Sequence, residues 1–352
     1  MRVVVTGATG NVGTSVLRSL SLHGDIAEIV GIARRLPALE VPKTEWLVAD
    51  IVRDDLVDLF KRADVVVHLA WAIQPSRDEA TLHAVNVDGS ARVFDAVARA
   101  KVPALVYASS VGAYSPGPKD EPGVAESWPT NGIPTSFYAR HKAAVERLLD
   151  RFEQEHAETR CVRLRPGLIF KTHAASEQRR YFAGPLVPTF LMHPRFIPIV
   201  PDTPRLRFQA VHTDDVAQAY CLAAVSDEAR GAYNVAAEPV LDPDRLAELL
   251  DARKVPVPQA VLRAAAAVTW RLRLQPSPEG WVDMALAVPV MSTARIRGEL
   301  GWEPRKTSGE ALLELLRGMR RGDGDDTPPL SGDGSGPFRI REFLTGIGGR
   351  NP

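Results

Sequence analysis

The sequence predicts an α/β protein built on a doubly wound parallel sheet with a smaller C-terminal domain. Three observations carry this. Short apolar, β-branched runs recur at Val3–Thr6, Ile29–Ile32, Trp46–Val48, Val65–Leu69, Leu105–Ala108 and Cys161–Leu164, as expected of strands buried on both faces. Helical patterns lie between several of them, at Val12–Leu22, Asp54–Lys61, Ala80–Ala100 and Phe137–Glu155, the alternation of βαβ units. Beyond Arg165 the texture changes: prolines thicken between Pro185 and Pro204 and the alternation becomes irregular.

The first strand runs straight into Gly7-Ala8-Thr9-Gly10-Asn11-Val12-Gly13, which opens the first helix. Glycine lets the backbone turn tightly and come close to phosphate oxygens, and the helix N-terminus adds free N–H groups and positive dipole. Gly7, Thr9, Gly10, Asn11, Val12 and Gly13 are therefore candidates to hold the pyrophosphate of a dinucleotide. A plain tight turn is the competing reading, and the position directly after an N-terminal β-branched strand favours the dinucleotide. The glycines are spaced three and three, whereas the commonest fingerprint has two and three.

The second strand ends Val30-Gly31-Ile32-Ala33-Arg34-Arg35. Ala33 offers no carboxylate for a ribose 2′-hydroxyl, and Arg34 can meet a 2′-phosphate, so NADP(H) is favoured and NAD stays open. A solvated pair of loop arginines is the alternative. After the third strand, Asp50-Ile51 can face an adenine amino group, or Asp50 can cap a helix. His68-Leu69-Ala70-Trp71 ends the fourth strand; Ala70 is small enough for the backbone to pass close to a cofactor, while His68 reads as structural. Ser109-Ser110 ends the fifth strand at the carboxyl edge, where ligands bind in such sheets. Ser110 is either a turn residue or a hydroxyl turned toward a substrate oxygen.

Tyr138-Ala139-Arg140-His141-Lys142 spaces a phenol and an ammonium four residues apart, one turn along a helix face. The cation can then lower the phenol from its ordinary pKa of about 10. Such a pair also arises by chance on amphipathic helices. Behind a glycine turn it reads as the means of moving a hydride and a proton together.

Further on, Asp214–Val225 reads as a helix capped by Asp214 or Thr213, and Tyr233-Asn234-Val235 as a short strand. Pro243–Ala252, Val261–Leu272 and Thr307–Arg321 read as helices. Gly322–Pro337, rich in Gly, Asp, Pro and Ser, reads as a solvated linker. The expected organisation is a dinucleotide-binding domain over 1–165, a mainly substrate-binding domain over 166–321 with segments returning to the sheet, and a flexible linker and tail over 322–352.

Composition narrows the class. The 352 residues are 45% hydrophobic and 24% charged, with 43 basic against 43 acidic side chains. That describes a globular protein with neither nucleic acid nor an anionic membrane as partner. No opening h-region or 18-residue apolar run is present, and the strand beginning at Arg2 leaves no room for a targeting peptide. The expected location is the cytoplasm. Cys161 and Cys221 are the only cysteines and read as inert buried thiols. No Cys/His cluster has metal-ligand spacing, so no metal is expected.

Taken together, these residues resemble the extended short-chain dehydrogenase/reductase family, the branch with nucleotide-sugar epimerases and dehydratases. The glycine turn, Asp50-Ile51, His68-Leu69-Ala70, Asn86-Val87-Asp88-Gly89, Ser109-Ser110 and Tyr138 to Lys142 fall in the family's order. Arg165-Pro166-Gly167, Val211 to Val216 and Leu300-Gly301-Trp302-Glu303-Pro304 are similar to its C-terminal signatures. The resemblance implies a Rossmann sheet, Ser110, Tyr138 and Lys142 as the catalytic set, and Asn86 in support of the site. It also makes a homodimer through the Tyr138 helix an expectation.

Departures narrow the chemistry. The family's 4,6-dehydratases carry an acidic pair after the catalytic hydroxyl residue, where this chain has Val111-Gly112. Its NAD-retaining epimerases usually carry an acid where Ala33 stands. Its sugar-nucleotide enzymes often follow Arg-Pro with a Tyr-Gly-Pro turn, replaced here by Leu168-Ile169-Phe170-Lys171. Trp71, Tyr114, Tyr181 and Phe182 can instead line an apolar cleft or serve as core. The expected activity is NADP(H)-dependent hydride transfer at a small-molecule secondary alcohol or ketone. An epimerase using transient oxidation is the first alternative, and a non-catalytic dinucleotide-binding regulator the second.

Overall fold

A computed structural model describes residues 1–74, 76–183 and 197–331. Strand β1 (Arg2–Thr6) feeds α1 (Asn11–Leu22), followed by β2 (Glu28–Ala33), β3 (Thr44–Val48), α2 (Val57–Phe60) and β4 (Val65–His68). Next come α3 (Glu79–His83), α4 (Gly89–Arg99), β5 (Ala104–Ala108), α5 (Phe137–Glu155), β6 (Arg160–Pro166), β7 (Leu168–Phe170) and α6 (Ala175–Gln178). The rest comprises β8 (Ile199–Asp202), β9 (Ala210–His212), α7 (Thr213–Val225), β10 (Gly231–Val235), α8 (Pro243–Leu250) and β11 (Arg253–Pro256). Helices α9 (Gln259–Arg271), α10 (Gly280–Ala287), α11 (Ala294–Leu300) and α12 (Ser308–Arg321) complete it.

Seven strands form one parallel sheet in the order β10-β6-β5-β4-β1-β2-β3. From β1 the chain steps outward to β2 and β3, then crosses back to place β4 on the other flank of β1. The order therefore reverses between β1 and β4, and a crevice opens beyond their carboxyl ends. Val3, Val4, Val5, Val66 and Val67 are fully buried because helices cover both faces. One face packs against α1 and α7, closed by the fully buried Trp302. The other packs against α2, α4 and α5. The Trp302 indole N–H donates to the Asp215 carbonyl at 2.8 Å, and the Asp215 carboxylate accepts from the backbone of Arg305 and Lys306. The two C-terminal signatures thus fasten each other on one face of the sheet.

Several boundaries differ from the sequence reading, each for a local reason. The helix expected over Ala80–Ala100 is broken into α3 and α4 by a wider turn at Ala84–Asp88. There the Asn86 side chain reaches out to grip the backbone of Ala72. Helix α2 is shorter than Asp54–Lys61 because the carboxylates of Asp50, Asp54 and Asp55 take the N–H groups of Val52, Asp50 and Val57. The cap of α7 is His212, whose Nδ1 accepts from the Asp214 N–H at 3.2 Å, rather than Asp214 or Thr213.

The expected linker is corrected for residues 322–331, which pack against the protein. Asp325 pairs with Arg18, the Ala38 N–H donates to the Asp326 carbonyl, and the Thr327 hydroxyl donates to the Thr9 carbonyl at 2.8 Å. Arg180 donates to the carbonyls of Pro329 and Ser331, and Leu330 is fully buried. A burying leucine, one paired aspartate and these hydrogen bonds outweigh a composition that otherwise reads as solvated. Residues 332–352 lie outside the described residues, as do 184–196 of the proline-rich stretch. Among the described residues no helix is long and apolar enough to cross a membrane, and no cluster of His, Cys, Asp or Glu has the makings of a metal site.

Candidate active site

The glycine turn sits at the crevice. Gly7 has φ +71°, and a Cβ there would lie 2.6 Å from the Ala70 nitrogen, so the turn after β1 touches the end of β4 backbone to backbone. A Cβ on Gly13 would come within 2.4 Å of the Gly7 carbonyl oxygen, which makes glycine obligatory for seating α1. At Gly10, by contrast, a Cβ would meet only the Gly7 oxygen at 3.5 Å. No protein atom demands glycine there; the space in front of it belongs to the crevice. Gly10 is also the N-cap of α1 and no side chain caps it, leaving the first-turn N–H groups for an anion.

The cleft is lined by Gly7, Thr9 and Gly10 of the turn, Ala33, Arg34 and Arg35 after β2, Asp50 and Ile51 after β3, and Leu69, Ala70 and Trp71 after β4. Ala33 is buried and brings no charge. Arg34 and Arg35 are exposed at the rim, and burial pulls the Arg34 guanidinium below its ordinary pKa while Asp50 pushes it back up. Asp50 lines the cleft, and its carboxylate accepts from the Val52 N–H at 2.9 Å, capping its own turn. Asn86 does not line the cleft. Its amide is spent on Ala72, at 2.7 and 2.8 Å, which fixes the chain just past Ala70 and Trp71. The Asn11 side chain likewise turns to Ile169 and Thr213, so only its backbone can face an anion. His68 is fully buried between Thr6 and Ser90, and desolvation holds it down to about 3, a neutral structural histidine.

Tyr138 and Lys142 lie on α5, which Ser136 caps at the Ala139 N–H. Ser110 lies two residues past β5 and caps the following turn, its Oγ accepting from the Gly112 N–H at 3.0 Å. Burial raises the Tyr138 phenol, and a hydrogen bond with Ser110 opposes that rise. Here the expected role of Lys142 needs correction. Its Nζ donates to the Ala108 carbonyl at 2.6 Å and sits 3.4 Å above the Trp71 ring, 5.9 Å from the Tyr138 ring centre. The four-residue spacing puts both on one face, but the ammonium is drawn to the carbonyl and the indole instead of the phenol. Desolvation holds Lys142 well below its ordinary value, with Glu146 opposing.

Sequence reasoning missed four contributors. Trp281 of α10 lies 5.1 Å from the Tyr138 ring and Trp71 lies 5.8 Å from it, enclosing the phenol in aromatic surface. Glu146, one turn beyond Lys142, is fully buried against Arg163 and Arg165 and accepts from Ser109. Burial pushes its carboxyl up, yet Arg165, Arg163 and Ser109 outweigh that and hold it at about 2. Its spacing from Lys142 was a legible signal. Arg180 and the Pro328-Pro329 pair also line the cleft. Trp71 joins the cleft to the Tyr138 cluster, and its buried indole N–H has no partner among the described residues. An uncapped helix start, an open approach at Gly10 and an unpaired donor beside Lys142 all fit a dinucleotide lying along the crevice.

Fold and glycine turn together have the form of the extended short-chain dehydrogenase/reductase class. Residues 3–236 match the NAD dependent epimerase/dehydratase family, and the chain belongs to it. It is 26% identical over 323 residues to an uncharacterized protein of Mycobacterium tuberculosis, covering 91% of this chain and spanning only 30% of that relative's length. It is 30% identical over 173 residues to a 2-alkyl-3-oxoalkanoate reductase of Shewanella oneidensis, covering 47% of this chain and 44% of the other. Its fold is similar to that of the UDP-glucose 4-epimerase of Thermus thermophilus in complex with NAD. That match has a TM-score of 0.66 and 24% identity, over 91% of this chain and 99% of that one.

Proposed function

We propose that the protein is an NADP(H)-dependent oxidoreductase acting on a secondary alcohol or ketone, in the cytoplasm. The observation that carries this reading is the grouping of Ser110, Tyr138 and Lys142 at the carboxyl edge of the sheet, joined to the crevice through Trp71. The bound nicotinamide supplies the hydride. Tyr138, kept protonated by its burial, gives a proton to the substrate oxygen, and Ser110 hydrogen-bonds that oxygen. Lys142 leaves the Ala108 carbonyl to hold the cofactor ribose. Asn86 positions the 70–72 segment through Ala72. Residues 166–321 are the substrate side, and the rings of Trp71 and Trp281 around Tyr138 favour an apolar substrate over a sugar nucleotide.

The absence of an acid at Ala33 and the presence of Arg34, Arg35 and Arg180 in one cleft support NADP(H) over NAD. The name of the Shewanella oneidensis relative supports a carbonyl reductase. An epimerase is the second reading, favoured by the 322–331 segment laid over the cleft, which would retain a cofactor. The test is to incubate candidate ketones and sugar nucleotides with the protein while following nicotinamide absorbance and product stereochemistry. Stoichiometric NADPH oxidation is expected; isomerisation without net consumption overturns the reductase reading.

A further inference from the structure

Lys171 follows β7 and is buried beneath the first turn of α1. Its Nζ donates to the Asn11 carbonyl at 2.8 Å, to the Thr14 hydroxyl at 2.6 Å and to the Ser15 hydroxyl at 3.4 Å. All three acceptors are neutral, and no carboxylate among the described residues lies within ion-pairing distance of it. Burying a cation with no ion-paired partner is unfavourable, so a fold that keeps one asks what answers its charge.

The charged groups that face it come from every element packed around it. They are Arg18 of α1, Asp214 of α7, Glu177 of α6 and Asp325 after α12. The three carboxylates are each engaged elsewhere. Asp325 pairs with Arg18, Asp214 accepts from the Ser15 hydroxyl at 2.7 Å, and Glu177 accepts from Tyr181 while burial pushes its own carboxyl up. The Asn11 carbonyl that Lys171 grips belongs to the same peptide unit as the Val12 N–H, in the uncapped turn that opens on the crevice.

We propose that Lys171 is a positioning cation of the dinucleotide site, holding the first turn of α1 and adding its charge where the pyrophosphate binds. This rests on the dinucleotide reading of the glycine turn and not on the choice between NADPH and NADH. The bound pyrophosphate is the counter-ion the fold leaves out. Helix dipole and buried ammonium then act together on one anion, the ammonium in a setting poorly screened by solvent. Desolvation, with Asp325 opposing, brings Lys171 down to about 8, so its charge fades at alkaline pH.

The test is Lys171→Met, with Lys171→Gln as a second variant that keeps a donor for the Asn11 carbonyl without the charge. Binding of NADPH, NADH, ADP and adenosine is titrated for each, alongside the thermal midpoint. Affinity for NADPH, NADH and ADP should fall about tenfold in both variants, while adenosine, which has no phosphate, stays within about twofold. Wild-type affinity for ADP should decline between pH 7 and pH 9.5, and that decline should flatten in the variants. Unchanged binding of all three pyrophosphates by either folded variant overturns the proposal. So does an equal loss for adenosine, which would mark a general collapse of the cleft. A wild type that binds NADH as tightly as NADPH refutes the cofactor choice and leaves Lys171 standing.

Discussion

A Cβ built on Gly112 would stand 2.9 Å from Cε1 of Tyr138 and 3.1 Å from the Met284 sulfur. The position two residues past Ser110 is therefore occupied by the phenol ring itself. Where the dehydratases this chain resembles carry a carboxylate, no side chain fits without moving the tyrosine. Packing at Gly112 thus disfavours an acidic pair at 111–112, in line with the residues present. Gly112→Ala should lower turnover on the order of tenfold or more, through displacement of Tyr138, and cost about 1–3 kcal/mol of stability by overpacking. Dinucleotide affinity should stay unchanged, a split that steady-state kinetics and a binding titration read directly.

Tyr138→Phe removes the proposed proton donor and should lower turnover by about 10²–10⁴ with little effect on fold or cofactor binding. Lys142→Ala should impair both, because Lys142 is proposed to move from Ala108 to the ribose. The pH dependence has a definite sign. Burial holds the phenol above its ordinary value and Ser110 opposes, so Ser110→Ala should push its titration still higher. Turnover in the reduction direction should then survive to more alkaline pH in the residual activity of that variant. Near-wild-type turnover by Tyr138→Phe would refute the assignment.

The sheet was legible because its strands are short, β-branched and buried on both faces, a pattern local enough to read at Val3–Thr6 or Val65–His68. The N-terminal motifs were legible because each follows a strand directly. What escaped was set by tertiary partners. Asn86 breaks a helical pattern because Ala72 is there to be gripped. Residues 325–331 look solvated until Arg18, Thr9 and Arg180 receive them. Trp281 reaches Tyr138 because α10 docks with Gly280 against Thr135, where a Cβ would lie 2.3 Å from the carbonyl oxygen. The Lys142 ammonium sits where the Ala108 carbonyl and Trp71 face hold it, and no spacing rule could say so.

Glu146 ties α5 to β6 and should govern acid stability. Its carboxyl is held at about 2, below its ordinary 4.5, so its contribution is fully present above the ordinary value and is lost as pH falls toward about 2. That shift corresponds to roughly 3 kcal/mol. Glu146→Gln leaves Arg163 and Arg165 without their shared buried partner and should cost about 3–5 kcal/mol at pH 7. Denaturant unfolding should show the gap to wild type narrowing as pH drops below about 4. A constant gap would show that the carboxylate charge is not what stabilises the junction.

Arg34→Ala should weaken NADPH by about ten- to a hundredfold, the value of one charge-assisted contact of roughly 1.5–3 kcal/mol. NADH affinity should change little, since Ala33 supplies nothing for a 2′-hydroxyl. Equal titration midpoints for NADPH and NADH in the wild type would end this assignment.

How long the cofactor stays separates the two readings. A reductase drawing on a pool of NADPH must release its oxidised cofactor each turn, whereas an epimerase returns the same hydride and can keep it. The segment 325–331 bears on this, because Thr327 is bonded to the Thr9 carbonyl and Pro328-Pro329 line the cleft beside Gly7 and Gly10. For a reductase, that segment must open within each catalytic cycle. Loosening it with Thr327→Val removes one neutral hydrogen bond, about 0.5–1.5 kcal/mol. Release of NADP should then quicken by about two- to tenfold, and turnover should rise with it if release limits the rate. Stopped-flow fluorescence of cofactor release, run beside net NADPH consumption with a carbonyl substrate, measures both. A faster release with no net consumption by any carbonyl, together with interconversion of stereoisomers, would convert the reading to an epimerase.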